Sequence, residues 1–313
     1  MKTLVLSEFG SAENLKLVDL HVPEIQDHEV LIKVKAISIN PVDVKTRAGH
    51  GLAARMREFM PIILGWDIAG TVTAVGNGVK GFRIGDDVFG MVNFPGHGKA
   101  YSEFVAAPAD HVALKPSNIS YEEAAAATLA ALTAWQALVH HYAIKKGNRV
   151  FIHAAAGGVG HFAVQIAKHF GAHVIGSSSP ENKDFVLNLG ADEQFDYKNS
   201  KIETLAPVDF VLDCLGAENV EKSLAIIKPG GGVVSILGGA TPAVVEKAKV
   251  RDVACSAFLV HSNGSDMKSL AELLAIGAIK SHVAKTYAFA EMNQAHKHVE
   301  TGRTVGKVIV SVP

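Results

Sequence analysis

The chain has 313 residues, 48% hydrophobic and 19% charged, a balance that suits compact packing in two domains and excludes a disordered chain. Its 30 Lys and Arg offset 31 Asp and Glu to a net charge of −1. The signs are interspersed, so no electrostatic footprint for nucleic acid or an anionic membrane is present. Cys214 and Cys255 are the only cysteines, too few for a disulfide scaffold. No run approaches the ~18 apolar residues of a spanning helix, and residues 1–10 carry an acid and a glycine where a signal peptide needs a longer apolar core. The expectation is a cytoplasmic protein with no nucleic-acid or membrane partner.

In chain order, residues 1–10 read as a first strand. Short β-rich runs at 29–36, 70–76 and 85–90 then alternate with Gly/Pro turns, and residues 93–98 read as a mobile loop. The texture changes near Lys115-Pro116. Residues 121–142 are alanine-rich and predict helix, interrupted at Leu132-Thr-Ala-Trp135. Strands at 149–153, 173–177, 208–213 and 232–237, with a shorter one at 194–197, then alternate with helices in βαβ fashion, which makes the class α/β. Lys228-Pro-Gly-Gly-Gly232 predicts a helix end followed by a new strand. After Asp266 come a helix, a strand at 284–289, a helix at 290–301 and a closing strand at 306–312.

The most informative stretch is Val150-Phe-Ile-His-Ala-Ala-Ala-Gly-Gly-Val-Gly160, a buried strand and a glycine turn leading into an apolar-periodic helix. This is the arrangement in which backbone N–H groups at a helix start receive a pyrophosphate, and it nominates Ala156, Gly157, Gly158, Val159 and Gly160 as cofactor contacts. NAD-specific units of this kind place an acid roughly 20 residues past the first glycine to bond the ribose 2′-OH. Here that place reads His173-Val-Ile-Gly-Ser-Ser-Ser-Pro180. Ser177, Ser178 and the nearby Lys183 suit a 2′-phosphate, so NADPH is the expected cofactor; the alternative is a polar turn that caps the next helix, with Lys183 solvated.

Five segments in order carry a family resemblance: Ala36-Ile-Ser-Ile-Asn-Pro-Val-Asp43, Leu64-Gly-Trp-Asp-Ile-Ala-Gly70, Gly85-Asp-Asp-Val-Phe-Gly90, Leu132-Thr-Ala-Trp-Gln-Ala-Leu138 and the glycine turn. Over nearly its whole length the chain resembles the zinc-free medium-chain dehydrogenases/reductases, in the branch of zeta-crystallin-like quinone oxidoreductases and alkenal/enone reductases. The resemblance implies a GroES-like catalytic domain from 1–118 and 266–313, a Rossmann domain at 119–265, a cleft between them, and pairing of two copies into a homodimer. The run at 253–260 would then be an edge strand, or else an interior one. By the same resemblance Thr133 lies near the nicotinamide, Tyr197 on the adenosine phosphate side, Gly238 by the nicotinamide half, and Lys307 reaches the cofactor; Thr133 bonding its own backbone and Lys307 lying on the surface are the plainer alternatives.

Zinc needs Cys, His or carboxylate ligands. Asn40 stands where zinc-dependent relatives carry a cysteine, so no metal is expected. The reaction implied is hydride transfer to a quinone or an α,β-unsaturated carbonyl, with Asn40 and Lys45 as donors to the acceptor oxygen. Asn40 fixing its loop and Lys45 facing water remain open. Asp43 reads as a loop-bonding or ribose-contacting carboxylate, since a general acid at neutral pH would need a strongly raised pKa. Phe59, Trp66 and Phe94 suit either an apolar substrate pocket or the core. A zinc-free aldehyde or ketone reductase and a non-catalytic NADPH-binding protein are the competing functions.

Overall fold

A computed structural model describes residues 1–313, which divide into two compact units. The first comprises Met1–Leu132, His261–Gly277 and Ser281–Pro313, and the second Thr133–Val260 and Ala278–Lys280.

The first unit is β-rich. Its strands are β1 (Lys2–Leu6), β2 (Leu15–Asp19), β3 (Glu29–Ile39), β4 (Ile62–Ile63), β5 (Asp67–Val75), β6 (Asp87–Met91), β7 (Phe104–Pro108) and β8 (Val112–Leu114). The long strand β3 alternates buried Val30, Ile32, Val34 and Ala36 with more exposed neighbours, the period-2 signature of a half-buried strand. It pairs antiparallel with β5 and with β7. The chain's last two strands, which follow the second unit in sequence, complete this sheet: β15 (Val283–Ala288) pairs with β16 (Lys307–Ser311), and β16 lies antiparallel on β3, Val308 opposite Ile39.

The second unit is a six-stranded parallel sheet built from β9 (Arg149–Ile152), β10 (His173–Ser178), β11 (Glu193–Asp196), β12 (Val208–Asp213), β13 (Ile227–Ser235) and β14 (Ala254–Ala257). The spatial order is β11-β10-β9-β12-β13-β14, the order reversing at β9, and such a reversal is where doubly wound sheets bind ligands. Phe151, Ile175, Val211 and Val233, one from each central strand, pack into one buried cluster. Near-continuous apolar runs of this kind are expected of parallel strands covered on both faces. β14 lies at the edge of the sheet.

Two expectations from sequence are corrected. The helical stretch breaks at Ala127-Thr128, between helices Tyr121–Ala126 and Leu129–Trp135, and not at Leu132. The new helix start has a tertiary partner: the N–H of Leu129, which has no acceptor within its own helix, donates to Oδ1 of Asp67 at 3.1 Å. Lys228-Pro-Gly-Gly-Gly232 does not precede its strand but lies inside it, as an irregularity in the pairing of β12 with β13 that leaves Ile227 opposite Val208 and Gly232 opposite Phe210. Gly230 supplies the positive φ of +78° that this excursion needs.

Candidate functional site

In the second unit, β9 runs into the turn His153 to Gly157 and then the helix Gly158–His169. Ala154 takes a positive φ of +49°, and the N–H of Gly157 bonds its carbonyl at 2.8 Å. Gly160 is required by contact: a Cβ there would stand 2.1 Å from the oxygen of Ala154. Gly176 on β10 has the same character, with Ala155 Cβ 2.9 Å from its own would-be Cβ. The helix start at Gly157 has no side-chain cap, so the N–H groups of Gly158, Val159 and Gly160 have no intrahelical acceptor. Such a bare helix start is an anion site, and Ala156 lies in the turn that leads to it.

The strand ends around this turn carry the remaining nucleotide candidates. Ser177 and Ser178 close β10 and are both buried, and Gln194 Nε2 donates to the Ser178 hydroxyl at 3.1 Å. Lys183 is exposed at the start of helix Lys183–Asn188, and Tyr197, just past β11, is 57% exposed. Gly238 follows β13 with φ +72° and open space where a Cβ would be. Thr133 is buried in helix Leu129–Trp135. Sequence reasoning missed a latch beside Gly238: Asp213 accepts the Ser235 hydroxyl at 2.6 Å and the N–H of Gly216 at 3.0 Å, while the Ser235 oxygen accepts the N–H of Gly239 at 2.9 Å. Burial raises the Asp213 carboxyl above its ordinary range against the pull of these bonds.

The first unit holds a buried charged cluster. Asn40 follows β3 in extended conformation and caps helix Pro41–Arg47, its N–H donating to Asp43 Oδ2 at 2.7 Å, one arm of a capping box. Its amide nitrogen donates to Asp67 Oδ2 at 2.8 Å, and its amide oxygen accepts from Nζ of Lys307. Lys307, only 3% exposed, also donates to the carbonyl of Ile39 at 3.2 Å. Burial, and then the charge of Asp67, push Asp43 up to about 7. Burial alone outweighs its partners to push Asp67 up to about 6, and it lowers Lys307. Two carboxylates share one ammonium here, and a proton balances the excess charge at the acid edge of neutrality. Beyond Asp43, Tyr101 packs over Gly65, whose Cβ would lie 2.3 Å from the ring. Its hydroxyl hydrogen-bonds Nε2 of His296 at 2.8 Å, and Arg47, also buried, pairs with Glu300.

The structure therefore separates the first-unit candidates. Asn40, Asp43 and Lys307 come together in the buried cluster, and both polar atoms of the Asn40 amide are engaged within it. Lys45, on the same helix, is exposed. The aromatic trio does not form one lining: Trp66 is 1% exposed, packed edge-on against Phe94 at 5.2 Å and bonded through its indole N–H to the carbonyl of Gly96, whereas Phe59 is 48% exposed beside His97. Residues 93–98, expected as a mobile loop, carry hydrogen bonds to that indole, to His111 and to Ser262.

Comparison with known proteins places these features. Residues 26–117 match the alcohol dehydrogenase GroES-like domain family and residues 189–310 the zinc-binding dehydrogenase family. The NADPH-dependent alkenal/one oxidoreductase, chloroplastic, of Arabidopsis thaliana is 36% identical over 99% of this chain and 79% of its own length. The 2-methylene-furan-3-one reductase of Solanum lycopersicum is 35% identical with the same coverage. The chain belongs to the medium-chain dehydrogenase/reductase superfamily, in its quinone and alkenal/one oxidoreductase branch. The solved structure of the quinone oxidoreductase from Coxiella burnetii covers 100% of this chain and 99% of its own, at a TM-score of 0.94 and 35% identity. For this medium-chain dehydrogenase/reductase the expected fold class stands: a GroES-like domain and a parallel six-stranded Rossmann-type sheet. One matched family is described as zinc-binding, whereas no three His, Cys, Asp or Glu side chains of this chain are grouped so that they could hold a metal ion.

Proposed function

We propose that the chain is an NADPH-dependent oxidoreductase that reduces a quinone or an α,β-unsaturated carbonyl without a metal. The observation that carries the reading is the end of β10: it offers Ser177 to Ser179 and the exposed Lys183 where an NAD site would place a carboxylate. The uncapped start of helix Gly158–His169 takes the pyrophosphate, and Tyr197 and Lys183 serve the adenosine phosphate side. Thr133 and Gly238 serve the nicotinamide half, whose C4 supplies the hydride when NADPH is bound. The acceptor's developing negative charge calls for a donor, and Lys45 is the cation of the Asn40 helix that is exposed to give one. Asn40, with Asp43, Asp67 and Lys307, holds the first turn of that helix in place. The names of the alkenal/one and quinone oxidoreductases support this choice of acceptor.

Loss of NADPH absorbance with quinones, enones and saturated aldehydes tests the reading. Turnover on quinones or enones, unaffected by a chelator, is the expected result. Turnover confined to saturated aldehydes, or nucleotide binding with no turnover on any acceptor, overturns it. Pairing of two copies through the edge strand β14 is part of the same proposal, and sedimentation of an Ala254→Pro variant as a monomer is its expected signature.

A further inference from the structure

β10 and β11 run parallel with Ser178 opposite Asp196, so the residues that follow each strand emerge side by side at the carboxyl edge of the sheet, where doubly wound folds receive nucleotides. After β10 comes Ser179-Pro-Glu181-Asn-Lys183, and after β11 comes Tyr197-Lys198. Nζ of Lys198 donates to both oxygens of Glu181, at 3.1 and 3.2 Å. The hydroxyl of Ser179, the residue's own N–H and Lys198 together hold the Glu181 carboxyl down at about 2, so it is an anion at every working pH. A hydroxyl, a backbone N–H and an ammonium are the donors that a phosphate monoester takes. One carboxylate already occupies them.

On the reading of the second unit as an NADPH site, we infer that Lys198 joins Lys183 in recognising the 2′-phosphate and that Glu181 is an internal competitor for the Lys198 ammonium, displaced when NADPH binds. The pair is exposed on both sides, and ion pairs of that kind are weak in water, so displacement is feasible. A phosphate bears nearly twice the charge of a carboxylate at neutral pH and holds the same ammonium more strongly. NADH presents only a hydroxyl there and leaves the pair intact. The competition explains how an acid can stand two residues past Ser179 in a site that selects phosphate: it sets the degree of selectivity rather than abolishing it.

The test is the dissociation constant of the whole protein for NADPH and for NADH, measured by fluorescence quenching in Glu181→Gln, Lys198→Ala and the double variant. Glu181→Gln is expected to tighten NADPH about 3- to 10-fold and to move NADH by less than about twofold. Lys198→Ala is expected to weaken NADPH about tenfold and to erase most of the Glu181→Gln gain in the double variant. An unchanged NADPH-to-NADH ratio in Glu181→Gln overturns the inference. So does an equal shift in Glu246→Gln, which breaks a comparable exposed pair with Lys249 at 2.6 Å on helix Pro242–Val250 and so reports net charge alone. A wild type that prefers NADH overturns the NADPH reading instead, and the inference then stands or falls separately on whether Glu181→Gln moves the ratio toward NADPH.

Discussion

Nζ of Lys307 donates to the side-chain oxygen of Asn40, 267 positions earlier in the chain, and so brings an ammonium to two buried carboxylates, Asp43 and Asp67. Removing one partner of a buried charge group leaves the others uncompensated, at a cost of about 3–5 kcal/mol. Lys307→Met is expected to lose stability of that order at pH 8. The loss shrinks at pH 6, where protons take the place of the ammonium on the carboxylates. Urea unfolding at the two pH values measures both, and an equal loss at each would show that the cluster does not take up protons.

Asp43 makes the sign of that titration explicit. Its carboxyl titrates near 3.8 when unfolded and is pushed up to about 7 by burial and by Asp67. Between those values the folded state binds more protons than the unfolded one, so this group's contribution to stability falls as pH rises from about 4 to 7. His153 and His296, held neutral by burial at about 4 and about 3, act oppositely: their unfolded forms bind protons below pH 6.5, and the protein loses stability as pH falls through that range. The net curve is a difference of these effects, so the single variant is the informative one. Asp43→Asn is expected to gain on the wild type by up to about 1.4 kcal/mol per pH unit as pH rises from 5 to 7. A stability difference that is flat with pH would contradict the raised pKa.

The second unit was more legible in the sequence than the first. Strands at 149–153, 173–177 and 208–213 fall within a residue of β9, β10 and β12, because a parallel strand buried on both faces prints an unbroken apolar run. The glycine turn was legible for a related reason: Gly157 and Gly160 answer local contacts with the carbonyl of Ala154. The charged cluster was not. Asp67, Tyr101 and His296 come from a strand, a loop and a late helix, and nothing local to any of them says that it is buried. The break at Thr128 was misplaced for the same reason, since the group that takes the Leu129 N–H lies 62 positions away. Trp66 and Phe94 had an apolar pocket and the core as equal readings, and only their mutual packing separates them from Phe59.

Gly160→Ala is the sharpest probe of the turn. The added methyl meets a backbone oxygen at 2.1 Å with the Cα of Ala155 at 2.7 Å, and neither can swing aside as a side-chain end would. The helix start must therefore shift away from the strand, at a cost of about 1–3 kcal/mol. Loss of both nucleotides by tenfold or more is expected, with the Lys183 and Lys198 preference between them retained. Calorimetric titration checks this, and undiminished affinity would mean that the pyrophosphate is bound elsewhere.

Lys45 carries the proposed polarisation of the acceptor, and its variants separate binding from chemistry. A donor aimed at charge that develops only during hydride transfer stabilises the transition state more than the bound acceptor, so its loss lowers kcat with little change in KM. An exposed ammonium is worth less than a buried oxyanion-hole donor, for which losses of 10²–10³ are typical, and Lys45→Ala is expected to lower kcat by about tenfold. Lys45→Arg restores a donor and part of the rate. Affinity for NADPH should not move, since the nucleotide contacts proposed here come from the second unit, Thr133 and Gly238 among them. Steady-state kinetics with one quinone and one enone give all three quantities. An Ala variant with wild-type kcat would remove Lys45 from the chemistry and leave orientation of the nicotinamide as the protein's main contribution to the rate.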